Sequence, residues 1–387
     1  MKNSAGFSIY RKVSELPSNW DDIAASNIFL RRDYLTVLER HAPANMQCFF
    51  IGITENDILV GVAVAQHLDF SEISTFGNRD NCIKNKIRTF FFKRFASRVL
   101  IIGNNMLTGH NSFRFISDEA AGISALYDAA DSIAKSELKP HLVIWKDYEF
   151  DILNLFQPAR FQSYYRFSTQ PNMILPIRNH WKSENDYVAD FLKKYRDQYK
   201  RARKKLAGIE KRFLTEDEIN RYVDKLHELY LTVARNAPFN TFFLSKDHFP
   251  GIKANLAHRF LVRGYFDGSE LIGFSTMIVN GRDIDTYFLG YDESHQKDRM
   301  LYLNMLYDMI AYAIENRFGK IVLARTALEI KSSAGAVPLK MYGFIRHRNP
   351  LINRFMSKLF SYFEPDLDWH QRHPFREQRL SSDAEES

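Results

Sequence analysis

Two glycine-containing turns inside one apolar stretch, Asp267-Gly268 and Asn280-Gly281, constrain this chain more than any other feature. They join three half-apolar runs: Phe260-Leu-Val-Arg-Gly-Tyr-Phe, Glu270-Leu-Ile-Gly-Phe-Ser-Thr-Met-Ile-Val and Asp283-Ile-Asp-Thr-Tyr-Phe-Leu-Gly290. Asp-Gly and Asn-Gly accept the positive φ of a tight turn, so successive runs must fold back as antiparallel strands. Leu303, Leu306, Ile310, Ala313 and Ile314 then recur with a 3.6-residue period, which predicts a helix ended by Gly319. Lys320-Ile-Val-Leu-Ala-Arg325 reads as a buried strand, and a short helix starting at Thr326 or Ser332 precedes Met341-Tyr-Gly-Phe344. Hairpin, third strand, crossover helix and next strand make a mixed sheet with a βαβ unit.

At 387 residues the chain is longer than one hydrophobic core usually serves, so two domains are expected. A hydrophobic share of 45% and a charged share of 26% place it among folded proteins, with a polar tail from Leu380 to Ser387. Cys48 and Cys82 have neither CxxC nor metal-ligand spacing, and the start is not signal-like. A cytoplasmic, reducing setting is therefore expected, with peripheral contact at the inner membrane face left open. No run approaches the roughly 20 apolar residues of a spanning helix. The net charge of +7 favours anionic partners, whether nucleic acid, acidic lipid head groups or coenzyme phosphates.

The first half echoes the later hairpin. Cys48-Phe-Phe-Ile-Gly-Ile, a turn at Glu55-Asn56-Asp57 and Ile58-Leu-Val-Gly61-Val match the second hairpin, with Ile58-Leu-Val-Gly61-Val falling over Glu270-Leu-Ile-Gly273-Phe. Either a domain has been duplicated, or two hairpins look alike. Around it the pattern predicts a strand at Phe7, helices at Phe29 to Arg40 and Asp118 to Ser136, and strands at Val99–Ile102, Ser112–Ile116 and His141–Trp145. From Asn85 to Leu100, Lys86, Arg88, Lys93, Arg94 and Arg98 interleave with four Phe residues. That is a core-facing helix with a solvated face, or a cationic surface for membrane or an acidic partner. Ser183 to Leu206 predicts one helix, with Tyr187, Phe191, Tyr195, Tyr199, Ala202 and Leu206 on its apolar stripe. Its other faces carry Lys193, Lys194, Arg196, Lys200, Arg201, Arg203, Lys204 and Lys205 against Asp197, a solvated or a phosphate-binding surface. A further amphipathic helix runs from Glu216 to Ala234.

Two copies of a mixed sheet, a basic helix opening the second copy (Phe191-Leu-Lys-Lys-Tyr-Arg to Leu206-Ala-Gly208), and Glu329-Ile-Lys-Ser-Ser-Ala-Gly335 before Tyr342-Gly-Phe resemble the FemAB-like branch of the GNAT superfamily of N-acyltransferases. Gly290-Tyr291 before a helix resembles the end of the central GNAT strand. The resemblance covers about residues 7–346 and implies an α/β (α+β) fold of two tandem GNAT-like domains, each a mixed, mostly antiparallel sheet flanked by helices. The expected domains are 1–175, 176–349 (the active one) and 350–387, an amphipathic helix and tail. The implied activity is transfer of an acyl or aminoacyl group from acyl-CoA or aminoacyl-tRNA to an amine, such as an envelope or lipid precursor. No cofactor is bound tightly; acyl-CoA or the charged tRNA is a co-substrate. A GNAT enzyme using coenzyme A usually follows its central strand with a glycine-rich loop that holds the pyrophosphate. Here Asp292-Glu-Ser-His-Gln-Lys-Asp-Arg299 has no glycine; Lys297, Arg299 and Gly290 are the residues left for the coenzyme.

Alternation on Asp283–Gly290 places Asp283, Asp285, Tyr287 and Leu289 on one face. Asp285 is the expected base or amine anchor and Tyr287 the proton donor or orienter; an exposed polar face is the plainer reading. Arg325 ends the next strand, where open α/β sheets hold ligands. With Thr326, Tyr291, Lys331 and Lys340 it makes a candidate substrate site, and Glu329 is a second candidate base or an ion-pair partner of Arg325. No P-loop, GxSxG, HExxH or dinucleotide fingerprint is present, and His370 with His373 lacks a third ligand, so no metal is expected. Leu351, Phe355, Leu359 and Phe363 with Arg354 and Lys358 form an amphipathic stretch that docks on the body or lies on a membrane. The rival to an enzyme is a non-catalytic protein of this fold that binds nucleic acid or anionic membrane.

Overall fold

The computed structural model describes residues 5–71, 94–136, 138–156, 158–237, 240–358 and 369–376. Cys82, the basic aromatic stretch as far as residue 93, Leu359, Phe363 and the tail from Leu380 lie outside them. The strands, in chain order, are β1 (Gly6–Tyr10), β2 (Met46–Glu55), β3 (Ile58–Asp69), β4 (Arg98–Ile102), β5 (Phe113–Phe115), β6 (Leu142–Tyr148) and β7 (Tyr165–Pro176). They continue with β8 (Glu210–Phe213), β9 (Phe260–Asp267), β10 (Glu270–Asn280), β11 (Asp283–Tyr291), β12 (Lys320–Ala324) and β13 (Val337–His347). Among the described residues no helix is long and apolar enough to cross a membrane.

Two compact units form: residues 1–169, 235–256 and 340–366 in the first, and 170–234, 257–339 and 367–387 in the second. The chain passes between them inside β7 and again inside β13. The first sheet runs β1-β2-β3-β4-β6-β13, with β5 beside β3. The second runs β8-β9-β10-β11-β12-β7. Each has one parallel pair, β4–β6 and β11–β12, and every other neighbour is antiparallel. The two sheets therefore share one order and one set of directions. Ile58-Leu-Val-Gly61-Val and Glu270-Leu-Ile-Gly273-Phe open equivalent strands, β3 and β10, as duplication requires.

The turns follow the residues that permit them: Asn56 and Asp57 have φ of 50° and 63°, Gly268 and Gly281 of 59° and 61°. In the first unit, Ile123, Leu126 and Ile133 of the helix Glu119–Lys135 pack on Ile51, Leu100 and Ile102. In the second, the helix Leu301–Glu315 buries Leu303, Leu306, Ile310 and Ile314 against Met277, Ile284 and Ile321. Gly273 lets that helix approach β10, since a Cβ there would lie 2.6 Å from Met305 Cε.

The structure differs from the sequence reading in the basic segment, which forms two helices, Glu184–Ala189 and Lys193–Lys205. Ser183 and Asp186 make a capping box at the start. Asp190 then accepts from Arg178, His180 and Trp181 at 2.8–2.9 Å, while Phe191 bridges to Phe375 and the Leu192 N–H donates to the Pro374 carbonyl. Those bonds hold residues 190–192 out of the helical ladder. The stretch 216–234 is also broken, at Tyr222, and the glycine-free stretch after β11 forms the helix Glu293–Arg299.

Candidate functional site

The parallel ladder between β11 and β12 has two rungs, Ile284↔Ile321 and Asp285↔Val322, and then stops, although β11 runs on to Tyr291. The equivalent pair in the first unit, β4–β6, has four rungs. The second sheet is thus forked at its parallel pair. β11 also carries a bulge beyond the fork. Ser275 pairs with Leu289 and Met277 with Thr286, leaving Tyr287 and Phe288 opposite Thr276 alone. The Thr276 hydroxyl donates to the Phe288 carbonyl, which fixes the bulge. Bulges re-aim backbone groups, and this one lies on the strand edge that β12 has left.

Asp285 stands at the closed end of the fork. It is 7% exposed and accepts from Asn280 Nδ2 at 3.5 Å. Burial pushes its carboxyl up to about 7, with the Asp283 charge adding to the rise and Asn280 and Lys320 opposing it. Ile284, its neighbour, faces the core as alternation requires. The plainer reading of Asp285, on an exposed polar face, does not describe a side chain this buried.

On the other arm, Ala324, Thr326 and Ala327 adopt left-handed φ of 60°, 70° and 47°. Three such residues that are not glycine, in four positions, store strain of a kind that gathers at functional sites. Lys331, on the helix Leu328–Ser333, reaches back to this bend and donates to the Ala324 carbonyl at 3.3 Å and the Arg325 carbonyl at 2.5 Å. It is 5% exposed, and burial pushes its ammonium down to about 7. An amine whose charge is balanced near neutrality, beside the bend that ends β12, is a candidate functional group. The sequence showed Lys331 as a source of positive potential; its burial was hidden in the small-residue run Ser332-Ser333-Ala334-Gly335-Ala336.

The other expected site residues take different partners. Arg325 donates through Nε to the Gln170 carbonyl at 3.2 Å, and burial pushes its guanidinium down to about 10. Glu329 turns to Arg372 (2.9 Å) and the His370 N–H (3.3 Å) rather than to Arg325. The Arg372 hydrogen bond holds its carboxyl below the usual range, which suits an ion pair better than a base. Thr326 and Lys340 are exposed. Tyr287, on the bulge, lies 4.5 Å from the Phe288 ring. Tyr291 packs against Leu206, Ile209 and Leu301, on the helix-covered side. Gly290 has a packing role: any Cβ there would overlap the backbone of Leu229 and Tyr230 in the helix Val223–Arg235.

The place where a glycine-rich loop would cradle a pyrophosphate is filled by the chain itself. Asp292 caps the helix Glu293–Arg299 through the Ser294 N–H at 2.8 Å. Gln296 Oε1 accepts from the Tyr302 N–H at 2.8 Å, closing the start of the helix Leu301–Glu315. Arg299 is held by Asp267 and the Ala207 carbonyl, both at 3.3 Å, and the Lys297 carbonyl accepts from Lys205. Arg299 is thus engaged by the chain's own acceptors.

Compared with solved structures, the chain matches the crystal structure of FemX over 90% of its own length and 100% of the other, with a TM-score of 0.56 at 12% identity. It matches a tandem GNAT protein from the clavulanic acid biosynthesis pathway over 89% and 99% of the two chains, with a TM-score of 0.51 at 11% identity. The fold is tandem GNAT, FemAB-like. At these identities the likeness is one of fold. No protein-family model matches the sequence, and no curated protein matches it either. Within the tandem GNAT fold, the forked sheet is the second one and the four-rung seam the first.

Proposed function

We propose that the chain is an acyl- or aminoacyltransferase whose chemistry takes place at the fork between β11 and β12, with aminoacyl-tRNA as donor and an amine as acceptor. The single observation that carries this reading is the two-rung fork, bulged on one arm and reached by buried Lys331 on the other. The acceptor nitrogen attacks the donor ester carbonyl and a C–N bond forms. An N–H of the bulge and the Lys331 ammonium meet the oxyanion. Collapse breaks the C–O bond; the amine gives up a proton to Asp285, which passes it to the leaving tRNA hydroxyl. A carboxyl titrating near 7 suits that task. Tyr287 orients the acceptor from the bulge, and Arg325 supplies charge beside the bend.

The filled cradle after β11 argues against coenzyme A in the usual pose. The helix Lys193–Lys205 supports a polyanionic donor, because Lys193, Lys194, Lys200, Arg201, Lys204 and Lys205 are all exposed along it. Arg196 and Arg203 are the exceptions: Arg196 donates to the Ala189 and Phe191 carbonyls, and Arg203 works inward, bonded to Asp308 at 2.7 Å and to Glu184.

A thermal-shift comparison of charged tRNA with acetyl-CoA tests the donor, since a ligand specific to the native state raises the midpoint. Charged tRNA should raise it and acetyl-CoA should not, and Lys331→Met should abolish transfer while keeping tRNA bound. Stabilisation by acetyl-CoA alone overturns the donor. Stabilisation by neither, with no transfer, leaves a non-catalytic protein of this fold.

A further inference from the structure

In the first unit, three large apolar side chains face solvent in two adjoining segments: Leu351 (76% exposed), Phe355 (54%) and Phe95 (37%). His347 joins the segments, its Nε2 lying 2.8 Å from the Phe95 carbonyl. Asn349 caps the start of the helix Pro350–Arg354 through the Leu351 N–H at 2.9 Å, which turns Leu351 outward. Single exposed apolar residues are ordinary, but a group of three with aromatic members marks a contact surface.

The charged side chains on these two segments are cationic. Arg94, Arg348, Arg354 and Lys358 are exposed, and residues 346–358 contain no Asp or Glu. Beside them lies a cavity of about 490 Å³ whose lining carries the cations Lys135, Lys139, Arg346 and Arg348. Its one lining carboxylate, Asp131, is already paired with Lys135 at 2.6 Å and Arg346 at 3.8 Å. Apolar side chains that project among cations, next to a cationic cleft, match the two layers of an anionic leaflet: acyl chains below, phosphate head groups above. A polynucleotide would match the cations but leaves Leu351 without a role.

We propose that the first unit docks on an anionic lipid bilayer through residues 94–95 and 346–358, with Leu351, Phe355 and Phe95 entering the acyl boundary and the cleft at Lys139 and Arg348 receiving a head-group phosphate. This surface shares no residue with the fork, so it stands or falls separately from the transfer reaction. A membrane address also restricts the acceptor to one presented at the bilayer.

The test is co-sedimentation of the full chain with vesicles of phosphatidylcholine alone or with about a third phosphatidylglycerol. Binding should need the anionic lipid and weaken with salt. Leu351→Ser with Phe355→Ser should reduce partitioning at least about tenfold, since apolar insertion drives interfacial binding. Arg348→Glu with Arg354→Glu should reduce it by more, as each cation contributes roughly fivefold near an anionic leaflet. Both variants alter exposed positions and should keep the wild-type melting midpoint. Wild type that stays in the supernatant, or a serine variant that sediments like wild type, overturns the proposal. So does an RNA oligonucleotide that binds this face through Arg348 and Arg354 while the serine variant binds it unchanged and vesicles are not bound.

Discussion

Lys331→Met is the perturbation whose outcome the structure specifies most fully. The folded ammonium titrates near 7 instead of 10.5 because burial strips it of water, even though two backbone carbonyls accept hydrogen bonds from it. Below pH 7 the lysine is charged in both the folded and the unfolded chain, so the folded protein bears the whole cost of burying it. Between about 7 and 10.5 the unfolded chain binds more protons, and wild-type stability climbs as pH rises. Methionine binds none, so its advantage over lysine is greatest at low pH and shrinks through the same window. At about 1.4 kcal/mol per pH unit the whole swing is about 5 kcal/mol, and about 2 kcal/mol of it falls between pH 7 and 9. The absolute offset depends on the carbonyls of Ala324 and Arg325, which lose a charged donor at a cost of about 1–3 kcal/mol each. The swing does not depend on that offset. Two units need not unfold together, so the measurement should be local: hydrogen exchange in peptides covering residues 320–336, wild type against variant at each pH from 6 to 9. A variant-minus-wild-type difference that stays constant over that range refutes a lysine buried near its titration point, and with it the oxyanion role.

Asp285→Asn has the opposite sign. The folded carboxyl titrates near 7 and the unfolded one near 3.8, so wild-type stability falls as pH rises between them. The asparagine variant should gain on wild type by up to about 4 kcal/mol by pH 7, read from an exchange experiment of the same kind on β11 peptides run from about pH 4 to 7, and should lose transfer. Gly290→Ala should lower the melting midpoint by the equivalent of at least about 1–3 kcal/mol, because the new Cβ meets helix backbone that cannot rotate away. Arg203→Met should cost about 1–3 kcal/mol in denaturant unfolding of the second unit, since Asp308 loses one of its two cationic partners, keeping Lys211 at 2.8 Å and the Tyr265 hydroxyl at 3.0 Å, and Glu184 loses its contact with Arg203. Asp308→Asn in that background should restore part of the loss.

The sheet was legible because its signals are local. Asn56-Asp57, Asp267-Gly268 and Asn280-Gly281 set turns through their own backbone preferences, and the helix Leu301–Glu315 shows its core face in its period. The fork and the filled cradle were not legible, because each depends on a partner far along the chain or on a register. The bulge at Tyr287 and Phe288 follows from a one-residue slip opposite Thr276, which alternation alone cannot reveal; after the bulge, Phe288 packs against Tyr230. Lys331 looked like a surface cation because side-chain charge was read without the bend at residues 324–327 that draws it inward. Glu329 looked free to pair with Arg325, four positions away, because Arg372 is brought to it only by the fold of residues 369–376. The helix Glu293–Arg299 was the recoverable omission. Asp292 is a cap, Glu293 sits in the first turn and Lys297 and Arg299 in the last, the charge order a helix dipole prefers. Reading those residues as a helix, rather than as a loop short of glycine, follows from that cap and that charge order alone, whereas the bonds from Arg299 to Asp267 and Ala207 need partners far along the chain.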